Sequence, residues 1–391
     1  MTQRDICAPG VSPQYISKVE RGERTPSVKA LRKLAAKLGV SAQFLETGHD
    51  LVEAELRAFR LDDAELAIRL GEASSDVEST LAALLDEADG AGDSRAATRA
   101  RLILGAIASQ RGHHERAIGE LEQAILEPWV DPSTHADAYA TLGHSYVAVG
   151  KGDEAAALFR RCLEALDARR PYDAATATRF ATYLSFVFVD LGLLDQAREA
   201  VETALRHADV SRDPYTTIRL HWSKARLAAS AGEFDLAQAS VKRAIALLEM
   251  TEDTAHLARA HLLAAEISLW DDDPMSVAEH LDSASKLLPH GADVEDRAFL
   301  LIQQAFHTAR TGDPAAAIDH ANNAIQILAD HDDPTIRGRA HWALAEAFTA
   351  AGATSSARAE FMRASELIPP GSKHADRLLE AWQQAVSTEV S

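Results

Sequence analysis

The 391-residue chain holds only two cysteines, Cys7 and Cys162, too few and too far apart to staple a fold, as suits a reducing cytoplasm. No apolar run approaches the roughly 20 residues that span a bilayer. The longest, Tyr183 to Leu194, is broken by Asp190 and is expected to be a buried helix. Met1 does not open a charged-then-apolar export segment. A phosphate loop ending in Lys-Ser/Thr is missing, and Gly90-Ala91-Gly92 follows no strand. Asp271-Asp272-Asp273 lacks the alternating ligands of a calcium loop. The 16 histidines form no chelating pattern: His113 and His114 point apart on a helix, and His256 and His261 are five apart. With no acid–base pair or nucleophile standing out, the expectation is a protein without catalytic residues, cofactor or metal.

What is present begins at residues 11 to 45, VSPQYISKVERGERTPSVKALRKLAAKLGVSAQFL. Ser12, Ser27 and Ser41 each precede a helical pattern, where a side-chain oxygen can accept an orphan backbone N–H. Gly22 and Gly39 stand where helices should stop, and Pro26 blocks a continuous helix through Arg24-Thr25. Val11, Ile16, Val19, Leu31, Leu34, Leu38, Val40, Phe44 and Leu45 are the expected inward positions. Charge divides the chain as well. Residues 1–48 carry +4 and the remainder −23, so a phosphate backbone is drawn to the small segment and repelled by the large one.

Residues 49–391 are periodic. Gly112, Gly150, Gly192, Gly232, Gly312 and Gly352 recur near every 40 residues, with Asp272 in the missing place. Five positions after each mark stand Ala117, Ala155, Ala197, Ala237, Val277, Ala317 and Ala357. Seven further on come Ala124, Cys162, Ala204, Ala244, Ala284, Ala324 and Ala364. Small side chains at these points let two helices approach closely, so each unit reads as helix, tight turn, helix. A degenerate unit is expected over 49–90.

The first segment resembles the Xre/Cro-type helix-turn-helix of bacterial repressors. Thr2-Gln3 matches the start of that family's second helix, Gly10-Val11-Ser12 its turn, and Ile16 to Gly22 the end of its recognition helix. The resemblance implies a DNA-facing set of Gln3, Ser12, Pro13, Gln14, Tyr15, Ser17, Lys18, Arg21 and Arg24. Gln14 and Lys18 would read adenine and guanine edges in the major groove, while Gln3, Tyr15, Arg21 and Arg24 hold phosphates. The competing view is an ordinary solvated charged face. The family's first amphipathic helix is not found before the segment, either because the start is placed late or because the domain is degraded. Ile6, Ile16 and Leu34 are therefore expected to lose cover.

The repeats resemble the tetratricopeptide repeat, most clearly at Tyr139, Leu142-Gly143, Tyr146, Ala155 and Phe159, and again at Phe348, Ala357, Phe361, Ala364 and Pro369. Ala375 to Val386 matches the helix that caps such arrays. Implied is an all-α chain: a helix-turn-helix domain over 1–48, its first helix missing, then about seven to eight units and a cap over 49–391. Such repeats contact mainly their neighbours and wind into a right-handed superhelix with a concave groove. His221, His261 and His341 share one repeat position and are expected to pack between paired helices.

Three positions of each first helix tend to line that groove. The second positions read Arg179, Arg219, Arg259 and Arg339, interrupted by Phe299. The fifth include Trp222, Leu262, Ile302 and Trp342, and the ninth Phe186, Arg226, Glu266, Phe306 and Glu346. Arginines beside indoles suit a bound peptide or acidic protein segment. The bland alternative is that they balance Glu266, Glu346 and the acidic scaffold.

Joined, the two parts resemble the peptide-pheromone-responsive regulators of Gram-positive bacteria, although Asn322 and Asn323 lie outside the expected groove, where those receptors place asparagines. The expectation is a cytoplasmic, homodimeric regulator binding double-stranded DNA, with a peptide or protein ligand in its groove and no membrane partner. The rival is a repeat scaffold whose vestigial head does not touch DNA.

Overall fold

The structure, a computed structural model, describes residues 6–7, 10–40, 44–45, 48, 51–69, 75–208, 213–288 and 292–388. Every regular element among them is an α-helix. In chain order these are α1 (Pro13–Glu20), α2 (Val28–Leu38), α3 (Leu51–Arg69), α4 (Ser75–Ala91), α5 (Ser94–Gln110), α6 (His114–Ala124), α7 (Ala136–Ala148), α8 (Gly152–Asp167), α9 (Ala174–Asp190) and α10 (Leu194–Ala208). They continue as α11 (Pro214–Ser230), α12 (Phe234–Leu248), α13 (Thr254–Trp270), α14 (Pro274–Leu287), α15 (Val294–Thr311), α16 (Pro314–Ile327), α17 (Pro334–Ala350), α18 (Thr354–Leu367) and α19 (Ala375–Thr388). None of the described helices is long and apolar enough to cross a membrane. The chain divides into two compact units, Met1–Leu104 and Gly105–Ser391; the divide falls within α5, whereas the motif boundary read from the sequence is at 48.

In the first unit, Ser12 and Ser27 cap α1 and α2, accepting from the backbone N–H of Tyr15 (3.2 Å) and Ala30 (3.3 Å). Pro13 sits at the first helical position, where its missing N–H costs nothing. Gly39 closes α2 in the left-handed conformation; the cap expected at Ser41 lies outside the described residues. Ile6, Val11, Ile16, Ala30 and Leu34 form one small core, with Cys7, Tyr15 and Leu45 against it. The expected loss of cover is not found: Ile6, Ile16 and Leu34 are 9%, 3% and 6% exposed, because these short helices close on each other. Two expected inward residues do face solvent, Leu38 at 36% and Phe44 at 40% exposed. Helices α3 and α4 pair over Leu61, Leu81 and Leu84, where the degenerate unit was expected. Buried Arg57 binds Asp93 (3.1 Å) beneath this pair.

The second unit is a run of helical hairpins. All seven turn marks adopt positive φ, including Asp272 at 56°, the one non-glycine with positive φ among the described residues. Here the chain must bend left-handed to return along the preceding helix, a conformation that glycine adopts freely and aspartate at some cost. The fourteen small-residue positions are all buried. Gly143 is needed for a different reason: a Cβ there would stand 2.1 Å from Cζ of Phe159 on α8.

Contacts reach beyond neighbouring repeats. The backbone N–H of Asp332, between α16 and α17, donates to the carbonyl of Gly112 (2.9 Å), and the N–H of Glu115 donates to the Asp332 carboxylate (3.0 Å). Lys373, in the segment before α19, pairs with Asp190 at the end of α9 (3.2 Å). The small rotation of each hairpin on the last therefore accumulates until late hairpins meet early ones, and the concave face is lined from several directions.

Candidate nucleic-acid interface and ligand groove

The capped start of α1 fixes which of its side chains leave the core. Ile16 turns inward, and Tyr15 and Ser17 are half-buried. Pro13, Gln14 and Lys18 point to solvent, on the side expected to meet base edges. The surrounding cations are locally engaged. Arg24 lies over the Tyr15 ring, 4.6 Å from its centroid. Arg21 folds back, its Nε donating to the Ser17 carbonyl (3.2 Å) and a terminal nitrogen pairing with Glu23 (3.3 Å). Both remain exposed, so these contacts orient the guanidinium groups without removing them from water. Gln3 lies outside the described residues.

In the repeats, the first helix of each hairpin supplies the groove. One cavity of about 500 Å³ is lined by Arg179, Phe186, Arg226 and Arg259 with Tyr183, His144 and five carboxylates. A second, of about 580 Å³, is lined by Phe306, Arg339 and Trp342 with Trp270, Arg310 and Arg377. Arg219 and Trp222 line neither; Arg219 pairs with Asp213 (3.3 Å), and Trp222 packs against the core of α11 to α13. Lys373 reaches the first cavity through Asp190 while His374 lines the second, so the segment before α19 divides the groove.

All of the groove arginines named from the sequence are neutralised by carboxylates. Arg179 binds Asp137 (2.5 Å), Arg226 binds Asp190 (2.9 Å), Arg259 binds Asp293 (2.5 Å) and Asp296 (2.8 Å), and Arg339 binds Glu266 (2.8 Å). Burial opposes ionisation of Glu266, yet Arg339, Lys373 and Arg226 together hold its carboxyl below the usual range. Burial likewise opposes Asp190, and Lys373 and Arg226 lower it. At Asp293 and Asp296 burial wins over Arg259, and both are raised. The groove also carries aromatic side chains, each already engaged: Arg179 lies over Tyr183, Arg226 over Phe186, Arg377 over Trp270 and Arg310 over Phe306, while Trp342 packs on Phe306 and donates to Glu346 (2.8 Å).

A cluster that the sequence did not indicate lies on the first cavity's wall. Nε2 of His114 and of His144 lie 3.0 and 3.1 Å from one Glu295 oxygen, and Nε2 of His331 lies 3.6 Å away. Glu295 raises His144 to about 9, outweighing the partial desolvation of its half-exposed ring, whereas burial pushes His331 down to about 4. Up to 217 residues separate these partners in the chain, so no local spacing could have signalled them. Two of the three histidines of the shared repeat position pack between paired helices: His261 meets His280 (3.1 Å), and His341 meets Glu360 (2.6 Å).

Residues 10–45 match the helix-turn-helix family model, and residues 136–165 match that of the tetratricopeptide repeat. The chain joins an Xre-type helix-turn-helix to tetratricopeptide repeats. The repeat match covers α7 and nearly all of α8, the hairpin with the Gly143–Phe159 approach. No curated protein matches the chain. Among solved structures, a Rap protein complexed with competence and sporulation factor shares 14% identity over 84% of this chain and 99% of its own, with a TM-score of 0.58. Aspartyl phosphate phosphatase F from Bacillus subtilis shares 14% over 90% and 92%, at 0.53. Bacillus thuringiensis PlcR, in complex with the peptide PapR7 and DNA, shares 11% over 73% and 89%, at 0.41. For the Rap protein and the phosphatase, at these identities, the likeness is one of fold.

Proposed function

We propose that this chain is a cytoplasmic, DNA-binding transcription regulator whose repeats receive a peptide or protein ligand. The observation that carries the DNA half is the placement of Gln14 and Lys18, both exposed on a capped helix that rests on a buried core. Such a helix can enter the major groove, where Gln pairs bidentately with adenine and Lys donates to guanine. Arg21 and Arg24 then stand beside it for phosphates. In a homodimer, two copies of α1 spaced about one DNA turn, ~34 Å, would read a two-fold site, and ligand binding would bias that spacing.

For the repeat half, the neutralised arginines set the ligand chemistry. A carboxylate entering the groove competes with five acidic partners already in place, whereas apolar side chains can pack against the rings that line both cavities. The reading is therefore a largely apolar peptide segment, held at its polar backbone by the paired charges. The Rap-protein structure holds a factor named in its complex; its likeness to this chain supports the fold that would present such a groove.

Selection of duplexes from a random pool by the full-length chain, followed by fluorescence anisotropy at two salt concentrations, tests the DNA half. Gln14→Ala with Lys18→Ala should cost at least tenfold in affinity for the selected duplex and flatten its preference over a scrambled one, with the helical signal unchanged. If the wild-type chain enriches no sequence, the regulator reading fails and a repeat scaffold takes its place.

A further inference from the structure

We propose that His114, Glu295 and His331 bind a divalent transition-metal ion of the zinc class, which fastens the first hairpin of the repeats to the sixth and seventh. His114 opens α6, Glu295 lies in the first turn of α15, and His331 stands just before α17. One donor atom from each lies within 4.8 Å of the others. Imidazole nitrogen and carboxylate oxygen are the donors that zinc-class ions prefer. An ion about 2.0–2.1 Å from tetrahedral donors sets them roughly 3.3 Å apart, and the spacings of 3.0 Å and 3.6 Å from Glu295 Oε1 bracket that value.

Hydrogen bonding alone accounts poorly for this cluster. Oε1 of Glu295 already meets His114 and His144, which uses the two lone pairs of one oxygen. Nε2 of His331, in a side chain only 1% exposed, is left aimed at the same atom without a partner. Buried polar atoms in that state are uncommon, and a bound ion is one of their ordinary explanations. The other ring nitrogen of His114 meets Ser145 Oγ (3.3 Å), the outer-shell contact that fixes a ligating ring. His331 Nδ1 accepts the Asp333 N–H (3.2 Å), which places its proton on Nε2. Ion binding shifts that proton to Nδ1 and gives up this single backbone bond, a small loss beside three new metal–ligand bonds. The fourth position faces the cavity, where half-exposed His144 stands.

The proposal rests on neither DNA binding nor a peptide ligand, and its test needs neither. The test uses the full-length chain, stripped with chelator and titrated with zinc chloride by calorimetry, and with cobalt chloride by visible absorption. One equivalent should bind, the cobalt form should show the absorption of a four-coordinate ion, and zinc should raise the melting temperature in a concentration-dependent way. The near-isosteric Glu295→Gln should weaken binding at least tenfold and lose the melting shift, as should His331→Ala. His144→Ala, at a half-exposed ring that leaves the core intact, should alter the cobalt spectrum while stoichiometric binding persists. Absence of stoichiometric binding, or binding unchanged in Glu295→Gln and His331→Ala and therefore due to other histidines, overturns the proposal.

Discussion

The helix-turn-helix and the repeat groove both present arginines, but in opposite electrostatic states. Arg21 and Arg24 lie in water, lightly held by a neighbouring carbonyl, a carboxylate and a ring. Arg226, Arg259 and Arg339 are drawn inward and matched to carboxylates. A cation in water keeps its charge available to a polyanion. One already paired in a confined space has become part of the wall, and its removal is felt mainly by the fold. A count of charges gives the two regions their opposite signs; it does not reveal which cations are free.

The sharpest way to break this contrast is to truncate one arginine of each kind. Arg339→Ala leaves Glu266 buried without its partner and should cost about 3–5 kcal/mol in urea unfolding, whereas Arg21→Ala, at an exposed pair, should cost less than about 0.5 kcal/mol. Equal losses would mean that burial does not separate the two groups.

A second contrast is acid sensitivity. Fifteen of the 16 histidines fall after Leu104. Burial first, then the neighbouring His261 and Lys242, push His280 down to about 4. The folded state thus binds fewer protons than the unfolded one, whose ring titrates near 6.5. Its contribution is complete above that pH and is lost as pH falls from about 6.5 to about 4, worth about 1–2 kcal/mol after allowance for partial exposure. Denaturant unfolding at pH 7 and pH 4.5 should show this loss in the repeats, and His280→Gln should shrink it. A slope unchanged by that substitution would refute the assignment.

The smallest expected effect concerns the turn marks. Asp272→Gly should stabilise the repeats by about 0.5–1 kcal/mol, because glycine takes the left-handed turn without steric cost. A neutral or destabilising result in thermal melting would point to a use for the Asp272 side chain that outweighs its strain.

Much of this was legible from residue order. The caps at Ser12 and Ser27, the α1 start and the forty-residue rhythm are local signals, each set within one or two helical turns. Asp272 is identifiable from its place in the rhythm even though the other six marks are glycine. The groove arginines were located by the same phase, and seven of the nine groove residues line the two cavities. Their carboxylate partners were not legible, since pairs such as Arg259–Asp296 join different hairpins. Leu38 and Phe44 were expected inside because apolar spacing marks a face without stating whether anything covers it.

The order of amino acids by itself determined the helices, their caps, the turn positions and the small contacts within each hairpin, because those interactions join residues close along the chain. Only the tertiary structure decided that His114, Glu295 and His331 meet, that Lys373 divides the groove, and that the groove arginines named from the sequence are paired with carboxylates. Such contacts depend on a small rotation summed over many hairpins, and that sum is a property of the whole array rather than of any one stretch.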